Sequence, residues 1–401
     1  MRRPHLVLLA VAALLGCATA PARAVPTAAA PAAAAASDAS SASGSPLATV
    51  LHTATTQAVA DGYPAAIAYA RRGGTSAMAA AGLADLATGR PAQPNDRFRI
   101  ASNTKSFVAT VLLQLVGEHR LGLDDSVARW LPGVVAGHGN DGRRITVREL
   151  LDQTSGIYDP TTDPAFFAPY LQRHDMDYVY TPRRVVAEAA AHPPLFAPGT
   201  RWNYSNTNYL LAGLVIEAVT GRSAGQEITD RILRPLGLTH TTLPLTDPRI
   251  HGRHLHGYDL AHHDVTVFSP SYDWTAGAMI STLGDLGTFD RALFAGRLLP
   301  AAEQRALETV PDVPGDDGYA LGVTRAAVDC GAGRQAAVWE TDGGGPGFTS
   351  ISLTSADAGA DADRQLILVG TVFDLGRDLR HQPPAPASDA LGPAQTAVFC
   401  G

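Results

Sequence analysis

Runs of apolar residues predict β-strands near both ends of this 401-residue chain. Residues 64–72 and 75–86 have the composition of two strands, and the Gly73-Gly74 pair between them is typical of a hairpin turn. Three further strands are predicted towards the C-terminus, at 337–340, 348–353 and 365–373. Between the two groups, the pattern from residue 102 to about 286 is largely helical, with many proline and glycine breaks.

One helix at the start of this region has a clear apolar face. Apolar residues recur at three-to-four spacing, at Phe107, Val108, Val111, Leu112, Leu115 and Val116. Stop signals at 120–122 end the helix. Ser102 is then expected in the first turn, where unpaired backbone N–H groups favour developing negative charge.

Candidate chemistry begins with Ser102 and Lys105, which lie one turn apart on the same face if this stretch is helical. A serine hydroxyl needs a neighbouring base to become a nucleophile. Lys105 can be that base if burial lowers its pKa. About a hundred residues later, Tyr204 could relay a proton to the leaving group, and Asn206 could orient Lys105 and bind a substrate carbonyl. The competing interpretation is a helix cap, a solvated lysine and a core tyrosine.

Several segments in this order resemble the penicillin-recognising serine enzymes. That group includes class C β-lactamases, secreted D-alanyl-D-alanine carboxypeptidases, and related esterases and D-aminopeptidases. The resemblance covers about residues 50–373. Its segments are 98–105 around Ser102, 145–157, 198–209 and 276–286.

The resemblance implies an α+β fold of the β-lactamase/transpeptidase type. Strands from both chain ends then form one antiparallel sheet flanked by helices, in a domain spanning residues 47–374. A mostly helical lobe, at about 103–286, is inserted into this sheet lobe. The active site is expected in the cleft between the two lobes.

The resemblance also implies a serine hydrolase that forms an acyl-enzyme on Ser102, with Lys105 and Tyr204 moving protons and Asn206 positioning substrate. No cofactor or metal is expected, β-lactams are expected acylating ligands, and we expect a monomer. The first expected activity is that of a D-alanyl-D-alanine carboxypeptidase on cell-wall peptides. A β-lactamase, an esterase, a D-aminopeptidase and a non-catalytic penicillin-binding module remain as alternatives.

The chain departs from the family at its third motif, usually Lys or His, then Thr or Ser, then Gly. Thr341 and Asp342 occupy the first two positions here. Gly343 is retained and lets substrate approach the strand, and the N–H of Gly344 would join that of Ser102 as an oxyanion donor. The side chain of Asp342 should repel a substrate carboxylate, which favours esters or amides. The alternative is an alignment shifted by one or two residues in this glycine-rich stretch.

Composition excludes some classes of partner. The chain is 45% hydrophobic and 17% charged, as in an ordinary globular protein, and its net charge is −7. This charge gives no support for binding nucleic acid or anionic membranes.

A histidine-rich stretch comprises His251, His254, His256, His262, His263 and Asp264. Its spacing fits no standard zinc pattern, so we expect a surface loop without metal.

The N-terminus has the pattern of an export signal over residues 1–24. Two arginines precede an apolar run at 6–15, and Ala22-Arg23-Ala24 offers a cleavage site. We therefore expect secretion. The alternative is a lipoprotein site at Cys17, which would anchor the protein to the outer face of the membrane. Residues 25–46, mostly Ala, Ser and Pro, are expected to be a disordered linker.

Two cysteines follow the signal, Cys330 and Cys400. In an exported chain such a pair favours a disulfide, which would pin the proline-rich tail 375–401 to the catalytic lobe. A short helix is expected within that tail at 394–399. The alternative is two free thiols.

Overall fold

The computed structural model describes residues 45–357 and 362–400. The predicted export segment 1–24, residues 25–44 of the predicted linker and Cys17 lie outside these ranges. Over the described ranges, no helix has both the length and the apolar character needed to span a bilayer.

Short and long strands alternate with helices along the chain. The strands are β1 Ala65–Arg72, β2 Thr75–Asp85, β3 Arg90–Pro91, β4 Phe98–Arg99, β5 Ala136–Gly137, β6 Asn140–Asp141, β7 Ile280–Ser281, β8 Thr324–Asp329, β9 Gln335–Gly345, β10 Phe348–Ser355 and β11 Arg364–Gly370. The α-helices are α1 Pro46–Ala60, α2 Thr104–Gly117, α3 Val127–Trp130, α4 Val147–Leu151, α5 Ala168–Leu171, α6 Pro182–Ala190, α7 Asn206–Thr220, α8 Ala224–Ile228, α9 Arg234–Leu236, α10 Trp274–Gly277, α11 Leu283–Phe294, α12 Ala301–Leu307, α13 Leu375–Asp378 and α14 Leu391–Phe399.

A seven-stranded antiparallel sheet joins the two chain ends, in the order β3-β2-β1-β11-β10-β9-β8. The central pair β1 and β11 sets Ala66 opposite Gly370. On the other side, β9 and β10 set Gly343 opposite Ser350. The predicted sheet and the hairpin between β1 and β2 are therefore confirmed.

The predicted ends of β9 and β11 differ most from the structure, and β8 was not predicted. β9 runs to Gly345, past the predicted end at 340, although glycines weaken strand propensity. Pairing with β10 holds these glycines in the sheet. β11 ends at Gly370, before 373. β8 buries Val328 alone among its residues, as an edge strand with one covered face, and so lacks a strong apolar run.

Helices cover both faces of the sheet. The helical region packs on one face, where Phe107 of α2 stacks on Phe289 of α11 at a ring-centroid distance of 3.5 Å. Helices α1 and α14 cover the other face. β1 is buried on both faces, which explains its continuous apolar sequence.

Helix α1 was not predicted, and it begins inside the predicted linker. The Ser45 hydroxyl accepts a hydrogen bond from the Ala48 N–H, and Pro46 occupies the first turn. Both are typical helix-start features. At the other end of the chain, α14 begins at Leu391, three residues before the predicted helix.

The predicted disulfide joins Cys330, after β8, to Cys400 at the end of α14. It closes a loop with a sequence separation of 70 residues. Replacing both cysteines by serine should lower the free energy of unfolding by about 2–4 kcal/mol, because the unfolded chain gains entropy. Urea unfolding of the double variant and of reduced wild type should give the same loss. An unchanged midpoint in both would contradict this expectation.

Candidate active site

Ser102 lies in a single 3₁₀ turn, Ala101–Asn103, which leads directly into α2. The turn is entered through Ala101 with φ of 44°, a left-handed conformation that costs energy in a non-glycine residue. This conformation places Ser102 directly before the N-terminal start of α2. The Ser102 Oγ lies 3.0 Å from the Lys105 Nζ, as the predicted one-turn spacing requires.

Lys105 is 1% exposed, and its Nζ has three partners with lone pairs. Besides Ser102, these are Asn206 Oδ1 and the carbonyl oxygen of Ala276, both at 2.8 Å. A neutral amine has two N–H groups, which can bond to the amide and carbonyl oxygens. Its lone pair is then left for the Ser102 hydroxyl hydrogen, and this is the arrangement of a general base.

Burial lowers the pKa of Lys105 from its usual 10.5 to about 8. Three aspartates, Asp273, Asp159 and Asp342, oppose this shift because their negative charge favours the ammonium. Desolvation is the larger effect, so a substantial fraction of Lys105 is neutral near pH 8. Lys105 is also the only lysine of the 401 residues.

Tyr204 completes the group around Ser102. Its phenol donates a hydrogen bond of 2.8 Å to the Ser102 Oγ, and its ring lies 4.7 Å from the Lys105 Nζ. Burial raises the pKa of Tyr204 well above 10. The phenol is therefore neutral at physiological pH, which suits a proton donor and assigns the base role to Lys105.

Asn206 begins α7 and orients Lys105, as its position in the sequence suggested. The Asn206 side-chain N–H donates to Thr161 Oγ1 at 3.0 Å, and its backbone N–H donates to Asp159 Oδ2 at 2.8 Å. Because both ends of the side-chain amide already have partners, its contact with a substrate carbonyl stays a prediction. Sequence reasoning missed Thr161 and Asp159, which no motif marks.

A second anchor holds the Tyr204-Ser205-Asn206 segment. The Gln153 side-chain oxygen accepts from the backbone N–H of Ser205 at 3.0 Å and from the side chain of Asn208 at 2.6 Å. Gln153 has φ of 65°, so its backbone is strained. Gln153 lies in the 145–157 segment that resembles the family. That resemblance was the sequence signal that could have identified Gln153 as part of the site.

The third motif lies on β9, against the Ser102 turn. The Thr341 hydroxyl donates to Asn103 Oδ1 at 2.7 Å, so this hydroxyl hydrogen is engaged within the protein, and substrate contact from Thr341 stays a prediction. A Cβ on Gly343 would lie 2.3 Å from the Ile100 carbonyl oxygen. This close approach explains the glycine and places Gly344 next to the nucleophile turn. The oxyanion role of the Gly344 N–H stays a prediction.

Asp342 is half-buried on the same strand and lies close enough to Lys105 and Tyr204 to influence both. Burial raises the pKa of Asp342, and the Lys105 charge opposes that rise. Asp342 joins Asp273 and Asp159 as a third carboxyl group whose charge acts on Lys105. When ionised, these groups disfavour an anionic substrate group next to Lys105.

Replacing Gly343 by alanine should move β9 away from the Ser102 turn. We expect kcat to fall by about 10- to 100-fold as the Gly344 N–H is displaced, and stability to fall by about 1–3 kcal/mol from overpacking. Steady-state kinetics and urea unfolding measure the two effects. Gly392→Ala is the matched control because its added Cβ meets open space. Full activity of Gly343→Ala would rule out this packing role.

Three histidines of the histidine-rich stretch, His251, His256 and His263, each pair with a different carboxylate. His251 Nε2 lies 2.5 Å from Asp247, and His263 Nδ1 lies 2.8 Å from Asp259. Across residues 45–357 and 362–400, no group of three or more His, Cys, Asp or Glu side chains is arranged to hold a metal ion.

Comparisons with known proteins agree with this architecture. A family model described as Beta-lactamase matches residues 52–372. The chain is similar to Protein flp of Staphylococcus aureus strain MW2, with 34% identity over 199 residues that make up 49% of this chain and 38% of that protein. The matched segment thus spans well under two thirds of that relative.

Two solved structures are similar over most of the chain. One is a D-stereospecific amidohydrolase from Streptomyces sp., at 40% identity and a TM-score of 0.75, covering 88% of this chain and 99% of that one. The other is the D-amino acid amidase from Ochrobactrum anthropi SV3 complexed with L-phenylalanine, at 27% identity and a TM-score of 0.67. It covers 82% of this chain and 91% of that one.

Proposed function

This chain belongs to the Beta-lactamase family of serine hydrolases, and we propose that within it the protein hydrolyses amides or esters of D-amino acids. The observation that carries the proposal is Asp342, a carboxyl group that acts on Lys105 and Tyr204 from a third-motif position where a carboxypeptidase would need to attract a substrate carboxylate. The names of the two structural relatives, an amidohydrolase and an amidase acting on D-amino acids, support the substrate class.

The proposed reaction has two balanced steps. Neutral Lys105 takes the Ser102 hydroxyl proton as Oγ attacks the substrate carbonyl carbon, and the oxyanion is stabilised by the N–H groups of Ser102 and Gly344. Tyr204 donates its phenol proton to the leaving nitrogen or oxygen as the bond from that atom to carbon breaks, which leaves a phenolate beside the Lys105 ammonium. Water then attacks the acyl ester and gives a proton to the Tyr204 phenolate, while the Lys105 ammonium protonates the departing Ser102 Oγ. The amino acid is released and both groups are restored.

Substrate pairs that differ only at one end test this function. We expect the purified protein to hydrolyse D-phenylalanine amide faster than L-phenylalanine amide, and to hydrolyse acyl-D-Ala-D-Ala amide at least about 10-fold faster than the corresponding free acid. A strong preference for the free acid would instead support the carboxypeptidase.

Asp342→Asn isolates the charge from the shape of the side chain. It should raise kcat/KM for the free-acid peptide by about 10-fold and leave that for the amide nearly unchanged, because the repulsion acts only on the carboxylate. Steady-state kinetics on both peptides measure the ratio. An equal change on both peptides would show that Asp342 acts through Lys105 or Tyr204 instead.

We further propose that the enzyme is exported and acts outside the cytoplasm. The N-terminal pattern of residues 1–24 and the disulfide favour this location, because disulfides persist in oxidising compartments. Expression of the full chain, with and without Cys17→Ser, followed by separation of medium, membrane and cytosol tests it. Release into the medium by both forms supports secretion, and release by the variant alone supports a lipid anchor.

A further inference from the structure

A small cavity lies beside the Ser102 turn. Its wall includes Ala101, next to the nucleophile, and Gly345, next to the predicted oxyanion donor. Asp273 and Gly277, at the start and end of α10, line the same cavity. Tyr204 is not part of this wall.

The side-chain carboxylate of Asp273 has no hydrogen-bond donor in the described part of the protein. Asp273 is 8% exposed, and its Oδ1 is completely buried without a partner. Burial raises the pKa of Asp273 to about 6, and the charge of Lys105, which forms no ion pair with it, opposes that rise. An unpartnered buried carboxylate is strongly unfavourable, and such a group requires an explanation, such as a catalytic role, a bound ion or a water molecule.

Gly277 makes room for this carboxylate. A Cβ at position 277 would lie 1.7 Å from the Asp273 Oδ2. Arg99 also lines the cavity. Its Nη2 donates to three backbone carbonyl oxygens, those of Pro248, Thr266 and Phe268, and its buried Nε has no partner. Arg99 forms no ion pair with Asp273, so the cavity wall carries a carboxylate that no cation of the described residues contacts.

The position of Tyr204 indicates which part of a substrate would meet Asp273. Tyr204 bonds to Ser102 and would protonate the leaving group, so the leaving group lies on its side. The acyl part would then extend the other way, past Ala101 and Gly345, towards the cavity. In an amino acid ester or amide, the α-amine lies one carbon from the attacked carbonyl.

We propose that Asp273 binds the protonated α-amine of the amino acid whose carbonyl Ser102 attacks. The enzyme is then selective for unblocked D-aminoacyl substrates over N-acylated ones. This inference rests on the proposed function, since it assigns a substrate group to the acyl side of the same site. The ammonium supplies the hydrogen-bond donors that the Asp273 carboxylate lacks.

The p-nitroanilides of D-phenylalanine and N-acetyl-D-phenylalanine test the proposal. Wild type should favour the free amine by at least about 100-fold in kcat/KM, and Asp273→Asn should reduce that ratio by about 100-fold. An effect of Asp273 through Lys105 changes both substrates alike and cancels in the ratio. Asp177→Asn, at an exposed aspartate, is the matched control and should keep the wild-type ratio.

Two further measurements keep the test decisive. Gly277→Ala should displace the carboxylate and lower the same ratio without removing the charge. Asp273→Asn should also raise the Tm at pH 7, because a buried unpaired charge is removed. Equal turnover of blocked and free substrates by wild type, or an equal loss on both in Asp273→Asn, would overturn the proposal. If the proposed function itself is wrong, the result is different: neither the free nor the blocked D-aminoacyl substrate would acylate Ser102.

Discussion

Replacing Ser102 by alanine should abolish acyl-enzyme formation and lower kcat by about 10⁵-fold or more, the largest loss expected for any single substitution here. In the proposed mechanism, the Ser102 Oγ is the atom of the protein that bonds covalently to substrate. Lys105 and Tyr204 both act on it, so they lose their function when it is removed. Effects of residues that act as a unit are not additive, so adding Lys105→Met should reduce the rate little further.

Intact mass spectrometry with a D-phenylalanine p-nitrophenyl ester and, separately, a penicillin measures this result. Wild type should gain the acyl mass and the Ser102→Ala variant should not. Ser106→Ala is the matched control, a buried serine four residues later whose hydroxyl bonds to the Asn103 carbonyl oxygen. It should still acylate. An adduct on Ser102→Ala would place the nucleophile elsewhere.

Replacing Lys105 by methionine should lower kcat/KM by about 10³- to 10⁴-fold while the protein stays folded. A pKa lowered from 10.5 to about 8 means that the ammonium form costs the folded state about 3 kcal/mol below pH 8. Methionine removes that cost but leaves the Asn206 and Ala276 oxygens without their donor, at about 1–3 kcal/mol. The two effects nearly cancel, so urea unfolding at pH 7 should change by no more than about 2 kcal/mol.

Lys105→Arg separates charge from basicity. Arginine keeps the positive charge but cannot give up its proton, so this variant should be as inactive as Lys105→Met. Substantial activity of Lys105→Arg would mean that the positive charge, and not the base, matters at this position.

The pH dependence of wild type follows from the same pKa. The unfolded lysine binds its proton up to about pH 10.5 and the folded one only up to about 8, so stability should rise with pH between these values. The kcat/KM should rise through an apparent pKa of about 8 as Lys105 becomes neutral. Because the chain has one lysine, the pH dependence of its side-chain chemical shift in protein isotopically labelled at lysine measures this pKa directly.

Local sequence patterns predicted the parts of the molecule that depend on short-range physics. The hairpin of β1 and β2, helix α2 and the one-turn spacing of Ser102 and Lys105 follow from glycine turns and helical periodicity. The pairing of the first and last strands needed the family resemblance, because periodicity does not say which strands are neighbours.

Only the tertiary structure brought together the groups that tune the site. Asp159, Asp273 and Ala276 lie 54 to 171 positions from Lys105 in the chain, and no motif links them to it. Their effect on Lys105 depends on distance and on the exclusion of water, which chain packing determines. The sequence alone therefore determined the fold class and which residues are candidates for the reacting groups. Burial, which only the folded protein has, decided the pKa of Lys105 and left Asp273 without a partner.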